Sequence, residues 1–197
     1  MPANAAKGRT FTESARRAQI VAAAIAVIAE HGYAAASFTR IAKQAGLSST
    51  GMISYHFANK DDLIREVLTE ATTVAYNYIS PRMEAVTGYA AKLRVRLESN
   101  MELVRAHPDH VKTIIEIARN APTRPQFVDE RVTLFANHLR EGQAAGEFGP
   151  FHVEAMAVTI IGGIDAMVTG LVHNPDIDAT LAGREFADTF DRATRPS

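Results

Sequence analysis

A chain of 197 residues, 47% hydrophobic and 22% charged, can bury a core as one or two domains and has too little glycine and proline for disorder. The absence of cysteine excludes disulfides, thiolate nucleophiles and cysteine-ligated zinc, and fits a reducing cytoplasm. The net charge of −1 hides a split: residues 1–60 carry Lys7, Arg9, Arg16, Arg17, Arg40, Lys43 and Lys60 against Glu13 and Glu30, a net +5 that leaves −6 for residues 61–197. A basic end on an acidic body points one face at a polyanion. No apolar run approaches the roughly 20 uninterrupted residues of a membrane-spanning helix, and MPANAAKGRTF lacks the apolar core of a signal peptide. The expectation is a cytoplasmic protein with no membrane partner.

Residues 1–9 read as a disordered basic arm. Thr10-Phe11-Thr12-Glu13 has capping-box spacing and opens a first helix, striped by Ile20, Ala24, Val27, Ile28 and His31 and ended by Gly32. Ser37 then offers an N-cap hydroxyl, and Phe38, Ile41, Ala42 and Ala45 recur at helical spacing up to Gly46. A glycine there suits a left-handed C-cap. Leu47 plugs the corner, and Ser48 or Ser49 caps a third helix over about 49–56, in which Ile53 and Met52 pack inward. Two short helices around a glycine turn form a helix-turn-helix over about 37–56, whose second helix suits a DNA major groove.

Beyond it, Asn59 and Asp62 cap a fourth helix, about 60–79, with Leu63, Val67, Val74 and Tyr78 apolar, and Pro81 and Gly88 break the pattern. A fifth helix (about 89–106) turns Leu93, Leu97, Met101 and Val104 inward, and a sixth runs over about 109–119 after His107-Pro108-Asp109. Pro122 and Pro125 bound a loop before a seventh, about 125–143, with Val128, Val132, Phe135 and Leu139. The eighth, about 152–173, holds Asp165 as its one charge between Ala155 and Val172, so it must be covered on both sides. One side packs on the fifth to seventh helices, and the other needs a second molecule. Ala155, Ala157, Gly162, Gly163, Ala166 and Gly170 permit close approach, while the ninth helix, about 178–193, offers Ile177, Leu181, Phe186 and Phe190 as a second patch. The architecture is all-α with about nine helices, and two such helices per subunit would make a four-helix dimer interface.

From about Arg16 to Leu68 the chain resembles the tetracycline-repressor (TetR) family of transcription regulators. The resemblance is carried by Ile20 to Ala29, Gly32-Tyr33, Ser37-Phe38-Thr39, Ile41-Ala42, Ala45-Gly46-Leu47-Ser48, Tyr55-His56-Phe57, and Lys60 before Leu63. Beyond that third of the chain, only the helical layout and GQAAGEF at 142–148 match. The resemblance implies a three-helix helix-turn-helix head over 10–60 and an antiparallel helical domain over 61–197 for effector binding and dimerisation. There is one departure: Gly46 and His56 stand 10 apart, one more than is usual, so Ser54 takes the place of a tyrosine that touches phosphate.

Thr39 and Arg40 point away from the Phe38/Ile41 stripe, and Arg40 either forks on a guanine or clamps a phosphate. Ser49, Thr50, Gly51, Ser54 and Tyr55 complete an outward set that the resemblance assigns to DNA, with a phosphate contact at Lys60. His56 either caps its helix or joins that set. The implied partners are a pseudo-palindromic operator, a second copy of the chain and a small-molecule effector. For the effector, Asn100 and Met101 on the fifth helix, His138 on the seventh and Asp165 on the eighth are candidates. Asp165 needs either a basic partner or a ligand. Lys112 and Glu116 have the spacing of a surface pair.

Enzyme chemistry finds little support. GLSST at 46–50 departs from a nucleophile elbow at Thr50, His107 and His110 straddle Pro108 without an acidic ligand of proven proximity, and there is no glycine-rich phosphate loop. No metal or cofactor is called for. The first expectation is a homodimeric ligand-responsive repressor. The alternatives are a helical binding or catalytic protein with a degenerate head, and a DNA binder indifferent to sequence.

Overall fold

The computed structural model describes residues 11–121 and 127–196, and its regular elements are all helical. They run α1 (Phe11–His31), a 3-10 turn (Tyr33–Ala35), α2 (Phe38–Gln44), α3 (Gly51–His56), α4 (Lys60–Glu84), α5 (Tyr89–Ala106), α6 (Pro108–Asn120), α7 (Phe127–Ala144), α8 (Val153–His173) and α9 (Ala179–Thr194). The expected basic arm, the Thr10 cap, the Pro122–Pro125 loop and the Val128 side chain lie outside the described residues.

Two hydrophobic cores divide the chain. The first joins α1, α2 and α3 through Ile20, Ile28, Ile41, Ile53 and Phe57, all at 0% exposure, and takes in Leu63, Ile64 and Val67 of α4 and Ile117 of α6. The head therefore shares its core with the first two turns of α4. The second core is built by α5, α7, α8 and α9 around Leu93, Leu97, Met101, Phe135, Leu139, Ile160 and Ile164. Two polar joints tie α6 to the head: the Thr113 hydroxyl donates to the Ile25 carbonyl at 3.3 Å, and the Tyr33 amide donates to Glu116 Oε2 at 3.0 Å. Glu116 thus faces the head rather than pairing with Lys112, because Gly32 brings the 3-10 turn against it.

Several boundaries follow tertiary context. The fourth helix does not stop before Pro81 but continues to Glu84. Asn77, whose carbonyl loses its amide partner to the proline, is exposed to water, so the interruption is tolerated. The third helix starts at Gly51 after Thr50, and no side chain caps it, so neither Ser48 nor Ser49 takes that role. Met52 is 43% exposed rather than packed inward, since Ile53 alone fills that side of a helix of six residues. His31 is exposed beside Glu30 rather than part of the buried stripe.

Helix α8 is long and apolar enough to cross a bilayer, with mean hydropathy 1.8, against the sequence expectation. Here it is a core helix: Val153, Ala157, Ile160, Ile161, Ile164, Val168 and Leu171 form one buried stripe. The other face, with Ala155, Val158, Thr159, Gly162, Asp165 and Ala166, is exposed. Phe186 and Phe190 turn inward rather than outward, stacked edge to face at 5.1 Å, with Phe186 seated where a Cβ on Gly163 would stand. Arg94 on α5 locks α9 in place through Asp188 and Asp191, and reaches Glu98 at 2.9 Å. The hydrogen bond to Asp188 is the largest influence raising its pKa.

Candidate nucleic-acid interface

Helix α2 opens on Ser37, whose hydroxyl accepts from the Arg40 amide at 3.3 Å. It closes on Gly46 at φ +65°, where the Gly46 amide bonds the Lys43 carbonyl and the Leu47 amide bonds the Ala42 carbonyl at 2.8 Å. That paired closure needs a left-handed residue and sets the angle at which α3 departs. Gln19 of α1 clamps the turn by donating from Nε2 to the Ala45 carbonyl at 2.6 Å. Ile41 and Ile53, both wholly buried, fix the rotation of the two short helices, and every other site position follows from it.

That rotation leaves Thr39, Arg40, Ser49, Gly51, Ser54 and Tyr55 exposed, with Thr50, His56 and Lys60 half-buried. Arg40 makes no side-chain bond to a described residue, so its fork is available. Tyr55 is 72% exposed, its hydroxyl 3.2 Å from Glu13 Oε1 and its ring edge to face with His56 at 5.1 Å. His56 contributes its carbonyl to Arg17 at 2.5 Å. Lys60 leans over the Tyr33 ring at 4.5 Å, its ammonium 3.4 Å from the Tyr33 carbonyl. Met52 is the member that sequence reasoning missed: on this face its thioether suits a thymine methyl. Met52 adjoins Ile53, the residue this six-residue helix buries, and that adjacency was read as a share in the core.

Arg40→Ala is expected to weaken specific operator binding by about 1–3 kcal/mol if the fork reads a base. Titration against matched and scrambled duplexes measures it, and an unchanged ratio of specific to non-specific affinity would refute base reading.

The effector candidates have distinct surroundings. Asn100 turns its amide back on its own helix, to the Arg96 carbonyl at 2.7 Å. Met101 is fully buried against Gly183 of α9. Asp165 is not a buried carboxylate; it is 54% exposed and accepts from Arg131 of α7 at 2.8 Å within the same chain. His138 is half-buried, its Nε2 2.9 Å from the Tyr89 carbonyl, which makes Nε2 the protonated nitrogen, between the Tyr89 and Phe148 rings. A separate cleft of about 510 Å³ lies between α1, α4 and α6, with Val21, Ile25, Glu66, Glu70, Asp109 and His110 on its walls. None of the four candidates lines it.

Burial lowers the His138 pKa, against the Tyr89 hydrogen bond, and the Arg96 charge adds to the lowering. His110 is lowered by burial and then by His107. As pH falls through about 6.5 the unfolded chain takes up these protons first, so stability present above that value is lost below it. Urea midpoints should therefore drop between about pH 7.5 and 5.5, and His138→Gln should flatten the slope. A wild-type midpoint that rises on acidification would contradict this.

Residues 20–67 match the family model described as bacterial regulatory proteins, tetR family. The HTH-type transcriptional regulator BetI 2 of Chromohalobacter salexigens is 28% identical over 166 residues, covering 81% of this chain and 76% of its own. The fatty acid degradation regulator FadR of Bacillus halodurans superposes with a TM-score of 0.78 at 25% identity, over 90% of this chain and 99% of that one. Residues 20–67 are thus similar to the tetR family, and the fold is that of FadR. A solved structure of AibR in complex with isovaleryl coenzyme A and operator DNA has the same TetR-like fold, with a TM-score of 0.72 at 19% identity over 92% of this chain and 98% of that one. BetI 2 and FadR are both regulators by name.

Proposed function

We propose that this protein is a TetR-family homodimeric repressor that binds a pseudo-palindromic operator and is released by a small molecule. The observation that carries the DNA reading is the outward set on α2 and α3, held by two wholly buried isoleucines. Thr39, Arg40, Ser49, Thr50, Gly51, Met52, Ser54 and Tyr55 would meet bases or phosphates, with His56 and Lys60 on the flanking backbone. Lys60 would leave Tyr33 for a phosphate at the N-terminus of α4. The extra residue in the turn makes the pairing of side chain and base specific to this chain.

The exposed apolar side of α8 with Ile177 and Leu181 supports a dimer that buries these surfaces in a four-helix interface. Two heads would then sit in successive major grooves about 34 Å apart. The head as a unit extends through about Leu68, because its core includes the start of α4. Effector binding in residues 61–197 would act by differential affinity for two head spacings. The head–body joint at α6, with the open cleft beside it, is where the spacing can change. AibR, of the same fold, was solved with a small ligand and operator DNA, so the fold accommodates both kinds of partner. A protein of this kind works in the cytoplasm.

The test is selection of bound sequences from a random duplex pool at about 0.15 M salt. A palindromic motif with fixed half-site spacing is the expected result. No enrichment from folded dimer would overturn the operator reading and leave a helical binding protein with a degenerate head.

A further inference from the structure

Helices α5 and α7 meet around a basic side chain that has no anionic partner among the described residues. Four other arginines between helices are paired with carboxylates: Arg17 with Glu66, Arg94 with three, Arg131 with Asp165 and Arg140 with Glu154, while Arg105 and Arg119 bond carbonyl or hydroxyl oxygens across to α8 and beyond. Arg96 is half-buried, and its guanidinium lies over the Phe135 ring, 3.9 Å from the centroid. Among the described residues nothing accepts a hydrogen bond from it. Among the described residues no fully buried side-chain nitrogen or oxygen lacks a partner, so the Arg96 N–H groups keep some access to solvent. Burial lowers its pKa to about 10, and the charge of Arg131 adds to the lowering. Arg96 therefore keeps its charge at neutral pH against two unfavourable influences. A methionine would cover Phe135 without that cost, so packing alone does not account for an arginine here.

We propose that Arg96 is the anchor for an anionic group, a carboxylate or a phosphate, on the small-molecule effector. The inference rests on reading residues 61–197 as the effector domain and adds the ligand's charge and the residue that receives it. The Phe135 ring holds the guanidinium plane, so the fork is oriented before the ligand arrives. An incoming anion would accept two charge-assisted hydrogen bonds and offset the repulsion from Arg131. Asn100 and His138, named from sequence, then become neighbours of the anchor: Asn100 is bonded to the Arg96 carbonyl, and His138 feels its charge. Arg131 also holds Asp165 of α8, so an anion between the two arginines would pull on the helix proposed to pair the subunits.

Three probes of one chain length separate the headgroups: decanoate, decanoyl-coenzyme A and decyltrimethylammonium. Calorimetry and thermal shift on the full chain should show binding of at least one anion and none of the ammonium. Decanoate binding assigns a carboxylate, and binding of the coenzyme A thioester alone assigns a phosphate. Arg96→Met should bind the anion about tenfold or more weakly, with Arg96→Lys between the two. Without ligand, Arg96→Met should be at least as stable as the wild type. Wild-type protein indifferent to both anions, anion affinity unchanged in Arg96→Met, preference for the ammonium, or a ligand-free Arg96→Met less stable than wild type would each overturn the anchor. Operator selection on the same preparation keeps the two readings apart. A selected palindrome with no anion binding removes the anchor and leaves the repressor, whereas anion binding through Arg96 without a palindrome does the reverse.

Discussion

Arg17→Ala is expected to lower the folding free energy by about 2–4 kcal/mol, the largest stability loss from a single polar side chain in the head. Arg17 sits near the start of α1 with its side chain 10% exposed. Its Nε donates to Glu66 Oε1 at 2.6 Å, a second nitrogen meets Glu66 Oε2, and Nη1 reaches the His56 carbonyl at 2.5 Å. The guanidinium also stacks on Phe57, 4.1 Å from the ring centroid. One side chain thus joins α1, the end of α3 and α4. The hydrogen bond to Glu66 is the largest influence on its pKa, raising it against the lowering by burial. Alanine would remove two donors from the Glu66 carboxylate and one from the His56 carbonyl. The loss falls short of a fully buried pair because the Glu66 side chain is 37% exposed. Operator affinity should fall as well, since the end of the reading helix loses its tether. Urea unfolding measures the first effect and duplex titration the second; a change under about 1 kcal/mol would sink this account.

Val158→Glu with Leu181→Glu is expected to split the dimer and lower operator affinity by about 100- to 10,000-fold. Val158 on α8 is 57% exposed and Leu181 on α9 is 55% exposed, so neither supports the core of its own subunit. The variant should therefore keep wild-type helix content and unfold with near wild-type stability. In the proposed interface each carboxylate would be desolvated without a partner, which costs several kcal/mol. A lone head then binds its half-site without the effective concentration that a linked second head supplies. Sedimentation gives the oligomeric state and gel shift the affinity. A variant that stays dimeric with full affinity would move the interface away from α8 and α9.

Arg17 also shows where sequence reading runs out. Counted by position, it belongs to the +5 charge of residues 1–60 and adds to a basic face. In the fold it faces Glu66, 49 positions away, and its charge is spent inside the head. Lys60 is similarly turned onto Tyr33. The basic face proposed to meet DNA is thus carried more by Arg40 and Lys43, both exposed, than the count implies. Glu116 and Asp165 changed meaning in the same way, from a surface pair and a buried charge to a head–body joint and a half-exposed ion pair.

Sequence by itself determined the helical layout, the helix-turn-helix and the outward set on α2, because those rest on short-range causes. An N-cap hydroxyl, a left-handed glycine and a 3.6-residue apolar period act within a few residues of themselves. That is why Ser37, Gly46 and Ile41 stand where the pattern put them. Tertiary structure alone decided which charges are paired, which face of α8 is covered and that Arg96 is left unpaired among the described residues. An ion pair depends on which helices pack together and at what rotation, and no local signal records that. Arg96 and Arg94 stand two residues apart on one helix, yet α9 brings carboxylates to Arg94 while α7 brings the Phe135 ring and the like charge of Arg131 to Arg96.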